Sequence, residues 1–143
     1  MPRREPVGDA AELHRRQGEM YAGGPLDPVV ELLAEDIVWH VPGRSLIARD
    51  HRGVGRVIDY FRRRREFAGA TMRMRPGKVN SEGDAVAQFV EGTVVLDGEE
   101  VSWRTIGIYR VDTGRPLIRE VWLVPLDSEL FDRIWSEGGS SSS

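Results

Sequence analysis

The sequence predicts an α+β domain in which three N-terminal helices wrap a curved antiparallel sheet, a cone-like α+β barrel enclosing a pocket. Three observations predict it. Apolar residues recur at helical spacing up to Gly69, interrupted by one β-branched run; from Thr71 the period changes to two; and turn-forming stretches divide the second half into a meander. The chain of 143 residues suits one domain, expected over 9–135 between flexible ends at 1–8 and 136–143.

The elements follow in order. Asp9 caps a first helix that runs to about Ala22, with Ala11, Leu13 and Met20 as its apolar positions and a glycine pair as its stop. In "PLDPVVELLAED", Asp27 caps and Pro28 opens a second helix with a stripe of Val29, Val30, Leu32 and Leu33. "DIVWHV" is a strand ended by Pro42-Gly43. After the loop "RSLIARDHRG", Val54, Val57, Ile58 and Phe61 mark a third helix that stops at Gly69. Four antiparallel strands then alternate between turns at "SEGD", "LDGEE" and "VDTGR".

Charge and composition exclude several function classes. With 20 Lys+Arg against 23 Asp+Glu the net charge is −3, so no global field recruits nucleic acid or anionic membrane. No segment approaches a membrane span, and the N-terminus lacks the apolar run of a secretory signal, so a cytoplasmic protein is expected. The absence of cysteine removes thiol nucleophiles and thiolate metal sites. His14, His40 and His51 show no ligand spacing, and no phosphate-binding glycine motif or GxSxG elbow occurs; neither metal nor cofactor is expected. The run "RRRRE" at 62–66 reads as a solvated helix end, because four consecutive residues fan around the helix.

"LLAEDIVWHVPG", "HRGVGRVIDYF" and "IREVWLVPLDSELFDRIW" resemble, in order and spacing, the second-helix-to-strand passage, the Gly-led third helix and the last strand of SnoaL-like proteins. These belong to the nuclear transport factor 2-like superfamily, with ketosteroid isomerase and polyketide cyclases among its members. The resemblance implies a homodimer and a pocket for a small apolar molecule. It also places His40 at or within one residue of the isomerase general base, and Tyr21 near an oxyanion-stabilising tyrosine.

Alternation sorts the remaining candidates. Val38 and His40 share one face of their strand, Trp39 and Val41 the other. If His40 faces the pocket, Trp39 packs as plain core; the bland alternative is a histidine that bonds a backbone carbonyl or lines the rim. Glu120 lies among Ile118, Trp122 and Val124, and a carboxylate in apolar surroundings needs a partner or a raised pKa. Phe89 and Glu91 share a face that points either inward, adding Glu91 to His40 and Glu120, or outward toward Arg104. Trp103 and Tyr109 belong to an aromatic stripe that either lines a pocket or fills the core.

Three functions compete on these residues. The first is a cofactor-independent isomerase or cyclase that removes a proton beside a carbonyl with His40 or Glu120 as base. The second resembles limonene epoxide hydrolase, but Phe89 and Glu91 stand where its Arg and Asp would be. The third is a non-catalytic binder or dimeric scaffold.

Overall fold

The computed structural model describes residues 6–21, 24–68, 71–112 and 117–137, without the side chains of 6–10, 21, 67, 68 and 137. The expected C-terminal tail beyond 137, the stop at Gly69 and most of the turn at "VDTGR" lie outside the described residues.

Helix α1 (Pro6–Tyr21) starts three residues before the expected cap. It buries Leu13, His14, Gln17 and Met20, one stripe at helical spacing. Its outer side is laced by Glu12 to Arg15 and Arg16 and by Arg15 to Glu19, and Gly24 N–H closes the helix on the Glu19 carbonyl. Helix α2 (Asp27–Val30) is much shorter than its apolar stripe suggests. The residues expected to continue it enter the sheet instead: strand β1 (Leu33–Val41) opens at Leu33, and Ile118 N–H bonds the Leu32 carbonyl at 2.7 Å. Pairing with a neighbouring strand outweighs local helical spacing here.

Edge strand β2 (Arg49–Arg52) occupies part of the expected loop, and helix α3 (Val54–Ala68) follows it. Strands β3 (Arg73–Glu82), β4 (Ala85–Leu96), β5 (Glu99–Val111) and β6 (Ile118–Pro125) form the meander. The β4–β5 hairpin turns on Asp97-Gly98, both at positive φ, the conformation a tight two-residue turn demands. A last helix, α4 (Ser128–Glu137), was not expected as such; Asp127 caps it by accepting the Leu130 N–H.

The six strands form one sheet in the order β2-β1-β6-β5-β4-β3. All neighbours are antiparallel except β1 and β6, which run parallel, with β2, α3 and strands β3 to β5 between them in the chain. The helices cover one face. There Trp39 meets Phe61 edge-on at 5.0 Å and Tyr60 at 5.7 Å, joined by Val86, Val94, Tyr109 and Val121. Among the described residues no helix is long and apolar enough to cross a membrane.

Candidate functional site: a polar pocket under helix α1

Inside the helix-covered face a cavity remains between α1, α3, α4 and the middle of the sheet. Trp39, Met74, Trp103, Leu123 and Phe131 give it apolar walls, and His14, Gln17, Arg64, Thr105 and Tyr109 bring polar groups into it. It is narrow: about 30 Å³ accepts the centre of a water molecule, enough for two or three waters on the usual requirement of ~10–15 Å³ each.

Its polar groups are held from opposite sides. On α1, His14 Nε2 lies 2.7 Å from the Tyr109 hydroxyl on β5, with the two rings edge to face. Tyr109 reaches α1 because residue 107 is glycine: a Cβ there would sit 2.4 Å from the tyrosine oxygen. Gly92 makes the same room for the Trp103 ring, 2.3 Å from where its Cβ would be. From α3, Arg64 donates to the Tyr60 hydroxyl at 3.0 Å and lies over the Trp135 ring at 4.6 Å, a guanidinium held against aromatic faces.

This environment sets the charge state of His14. Burial, and then the positive charge of Arg64, lower its pKa to about 4, so the imidazole is neutral at physiological pH. With Nε2 engaged by Tyr109, its buried Nδ1 has no hydrogen-bond partner among the described residues. The same holds for the Thr105 hydroxyl and the Gln88 side-chain oxygen on the same sheet face. Buried polar atoms are normally satisfied, and His14 and Thr105 both line the cavity, so their unmet atoms suit a bound water or ligand.

The sequence profile of the SnoaL-like domain matches residues 14–119. The chain belongs to the SnoaL-like domain family. Solved structures of the same fold include Bal32a from a soil-derived mobile gene cassette, 25% identical, with 92% of this chain and 99% of that one covered and a TM-score of 0.76. A protein with a cystatin-like fold from Xanthomonas campestris is 22% identical over 93% of this chain and 99% of its own, at a TM-score of 0.79. An NTF2-like protein from Burkholderia pseudomallei is 18% identical over 91% and 96%, at 0.75. A search of curated protein sequences gave no match.

Within this SnoaL-like domain the expected site residues separate into two groups. Trp103 and Tyr109 line the inner cavity. His40, Glu120, Val38, Trp122, Phe89 and Glu91 all lie on the opposite, outer face. The alternation along β1 is as expected but the face is inverted: Ile37, Trp39 and Val41 are the buried set, because the larger apolar area goes under the helices. Tyr21 ends α1, and its side chain is outside the described part.

His40 and Glu120 do meet. His40 Nε2 is 2.7 Å from Glu120 Oε2, Nδ1 is 2.7 Å from Asp50 Oδ1, and the ring stacks on Trp122 at 5.3 Å. Partial burial opposes the cation, but the bonds to Glu120 and Asp50 together outweigh it and raise the His40 pKa. This is a clamp across β2, β1 and β6, outside any enclosed space. Glu91 is exposed, opposite Arg104 in register and 3.8 Å from Arg75. The inner cavity is also lined by His14, Gln17 and Arg64, which sequence reasoning passed over. Arg64 is the one member of "RRRR" that is buried, so that run is only partly a solvated helix end.

Proposed function

We propose that this SnoaL-like protein is a cofactor-independent enzyme of the isomerase or cyclase type, acting on a small, largely apolar carbonyl compound in the inner cavity. The observation that carries this reading is a neutral, buried His14 whose Nδ1 has no partner among the described residues while Tyr109 holds Nε2 and Arg64 supplies a positive charge nearby. In the tautomer where Nε2–H donates to the Tyr109 oxygen, Nδ1 carries a lone pair. It takes the proton from the carbon beside the carbonyl; the C–H electron pair forms the new C=C bond, the carbonyl π pair moves onto the oxygen, and an imidazolium and an enolate result. Arg64 opposes the imidazolium but stabilises the enolate, so charge separation is balanced within the cavity.

A base of such low pKa suits an acidic C–H, one activated by a second carbonyl or an aryl ring. Admission of a ring-sized compound requires the cavity walls to move apart, since the free space is that of two or three waters. Deuterium exchange at C1 of 2-tetralone, followed by proton NMR, tests the reading. The wild type and Glu120→Gln should exchange alike, and His14→Gln should lose about 10²–10⁴-fold of the enzymatic rate. Equal exchange in all three, at the rate of buffer, favours a non-catalytic binder.

A second part of the proposal concerns assembly. On the outer face the register aligns Phe89, Ile106 and Val124 in one row and Ala87, Ile108 and Trp122 in the next. Phe89 and Val124 are each 41% exposed, and so continuous an apolar strip on a sheet face suits a second copy of the chain. Sedimentation velocity should give a dimer for the wild type and a monomer for Ile106→Lys.

A further inference from the structure

A second concavity, of about 530 Å³, lies on the surface between edge strand β2 and helix α3, separate from the inner cavity. Arg49 from β2 and Arg56, Arg62 and Arg63 from α3 line it, against two carboxylates, Asp59 and Glu66. The helical residues 56, 59, 63 and 66 recur at three- and four-residue spacing, so they form one stripe facing the strand. Arg62 is 3.7 Å from Asp59, whereas Arg49, Arg56 and Arg63 form no ion pair with any described residue.

Two further features bear on this groove. The first turn of α3 holds no acidic residue and does hold Arg56, although the positive end of a helix dipole disfavours a cation. One wall of the groove is His51, whose Nε2–H donates to the Ile47 carbonyl at 2.9 Å and whose ring lies tilted against Tyr60 at 4.5 Å. That bond leaves Nδ1 as the nitrogen with the lone pair. In a chain of net charge −3, such local excess of guanidinium has an electrostatic cost that a bound anion removes.

We propose that this groove binds a compact, multiply charged phosphate-type oxyanion, free or as the phosphate group of a small ester. Guanidinium forks match the oxygens of phosphate in geometry, and the groove brings such forks together from β2 and α3. Binding also couples to His51. Burial chiefly lowers the His51 pKa, the bond to the Ile47 carbonyl opposes it, and Arg49 and, more weakly, Arg63 add to the lowering; an anion that cancels the arginine field therefore shifts Nδ1 toward its protonated, donating form.

The test is calorimetric titration of the full chain with inorganic pyrophosphate, inorganic phosphate and phenyl phosphate at low and at moderate salt. Pyrophosphate should bind, and the Arg56→Gln/Arg63→Gln double variant should weaken it at least tenfold, while Arg104→Gln on the outer face leaves it unchanged. A preference for phenyl phosphate over phosphate identifies an ester as the ligand; the reverse identifies the free anion. In the unaltered protein, NMR should show the His51 imidazole shift toward its protonated form when pyrophosphate is added. No binding, equal binding by the double variant, an equal loss in Arg104→Gln, or a His51 signal that stays still would each overturn the proposal.

Discussion

The Tyr109 hydroxyl lies 2.7 Å from His14 Nε2, and this single bond ties the middle strand of the meander to the first helix across the interior. It engages Nε2 and leaves Nδ1 without a hydrogen-bond partner among the described residues. It also makes the polar interior a shared property of α1 and β5, two elements far apart in sequence.

Protonation of His14 costs stability as pH falls. Its folded pKa, about 4, is below the ordinary 6.5, so the unfolded chain binds more protons between those values and stability rises with pH there. The contribution is complete above the ordinary value and is lost as pH falls through the folded one. At about 1.4 kcal/mol per unit the loss from this group is about 3 kcal/mol. Urea unfolding over this range should show the slope in the wild type, and a smaller slope in His14→Gln.

The His40 clamp has the opposite sign. Its folded pKa is raised, so its contribution is present below the ordinary histidine value and is lost as pH rises through the raised one. Asp50, lowered chiefly by the bond from His40, adds an acidic flank: its share is lost as pH falls through its own lowered value. His40→Gln should therefore destabilise the protein most in mildly acidic solution and flatten the alkaline decline. Tm measured against pH in the two proteins checks this, and exchange of 2-tetralone should be unaffected.

Gly107→Ala is a compact probe of the pocket. The added methyl would meet the Tyr109 oxygen and force the ring away from His14. The expected cost is about 1–3 kcal/mol, as for overpacking. A test of position is that the His14 pKa should change in Gly107→Ala and not in Gly83→Ala, where the added atom meets nothing within 4 Å.

Much of this architecture was legible in the sequence, and the reasons for the misses are local. Period-two alternation correctly grouped Trp103, Thr105, Gly107 and Tyr109, because every second residue of β5 must share a face. Alternation alone says nothing about which face is inner, and β1 carries a bulky residue on both. The choice falls to Trp39, which α3 meets with two aromatic rings, while His40 goes to the side where two carboxylates wait. His14 was obscured by its polar neighbours in "LHRRQGEM", although Leu13, Gln17 and Met20 set it on the buried stripe. Four consecutive arginines on a helix with one buried side cannot all be solvated, and this geometry was the available signal for Arg64. The early start of β1 depends on its pairing with Ile118, more than eighty residues away, which no local pattern encodes.

The most direct measurement is an NMR titration of the three histidine side chains with and without 2-naphthol, a planar phenol that mimics an enol. The account predicts that His14 stays neutral down to about pH 4 and that its signals respond to the phenol while those of His40 do not. A His14 that titrates near the ordinary histidine value, or a phenol that perturbs His40 alone, would contradict the inner cavity as the functional site.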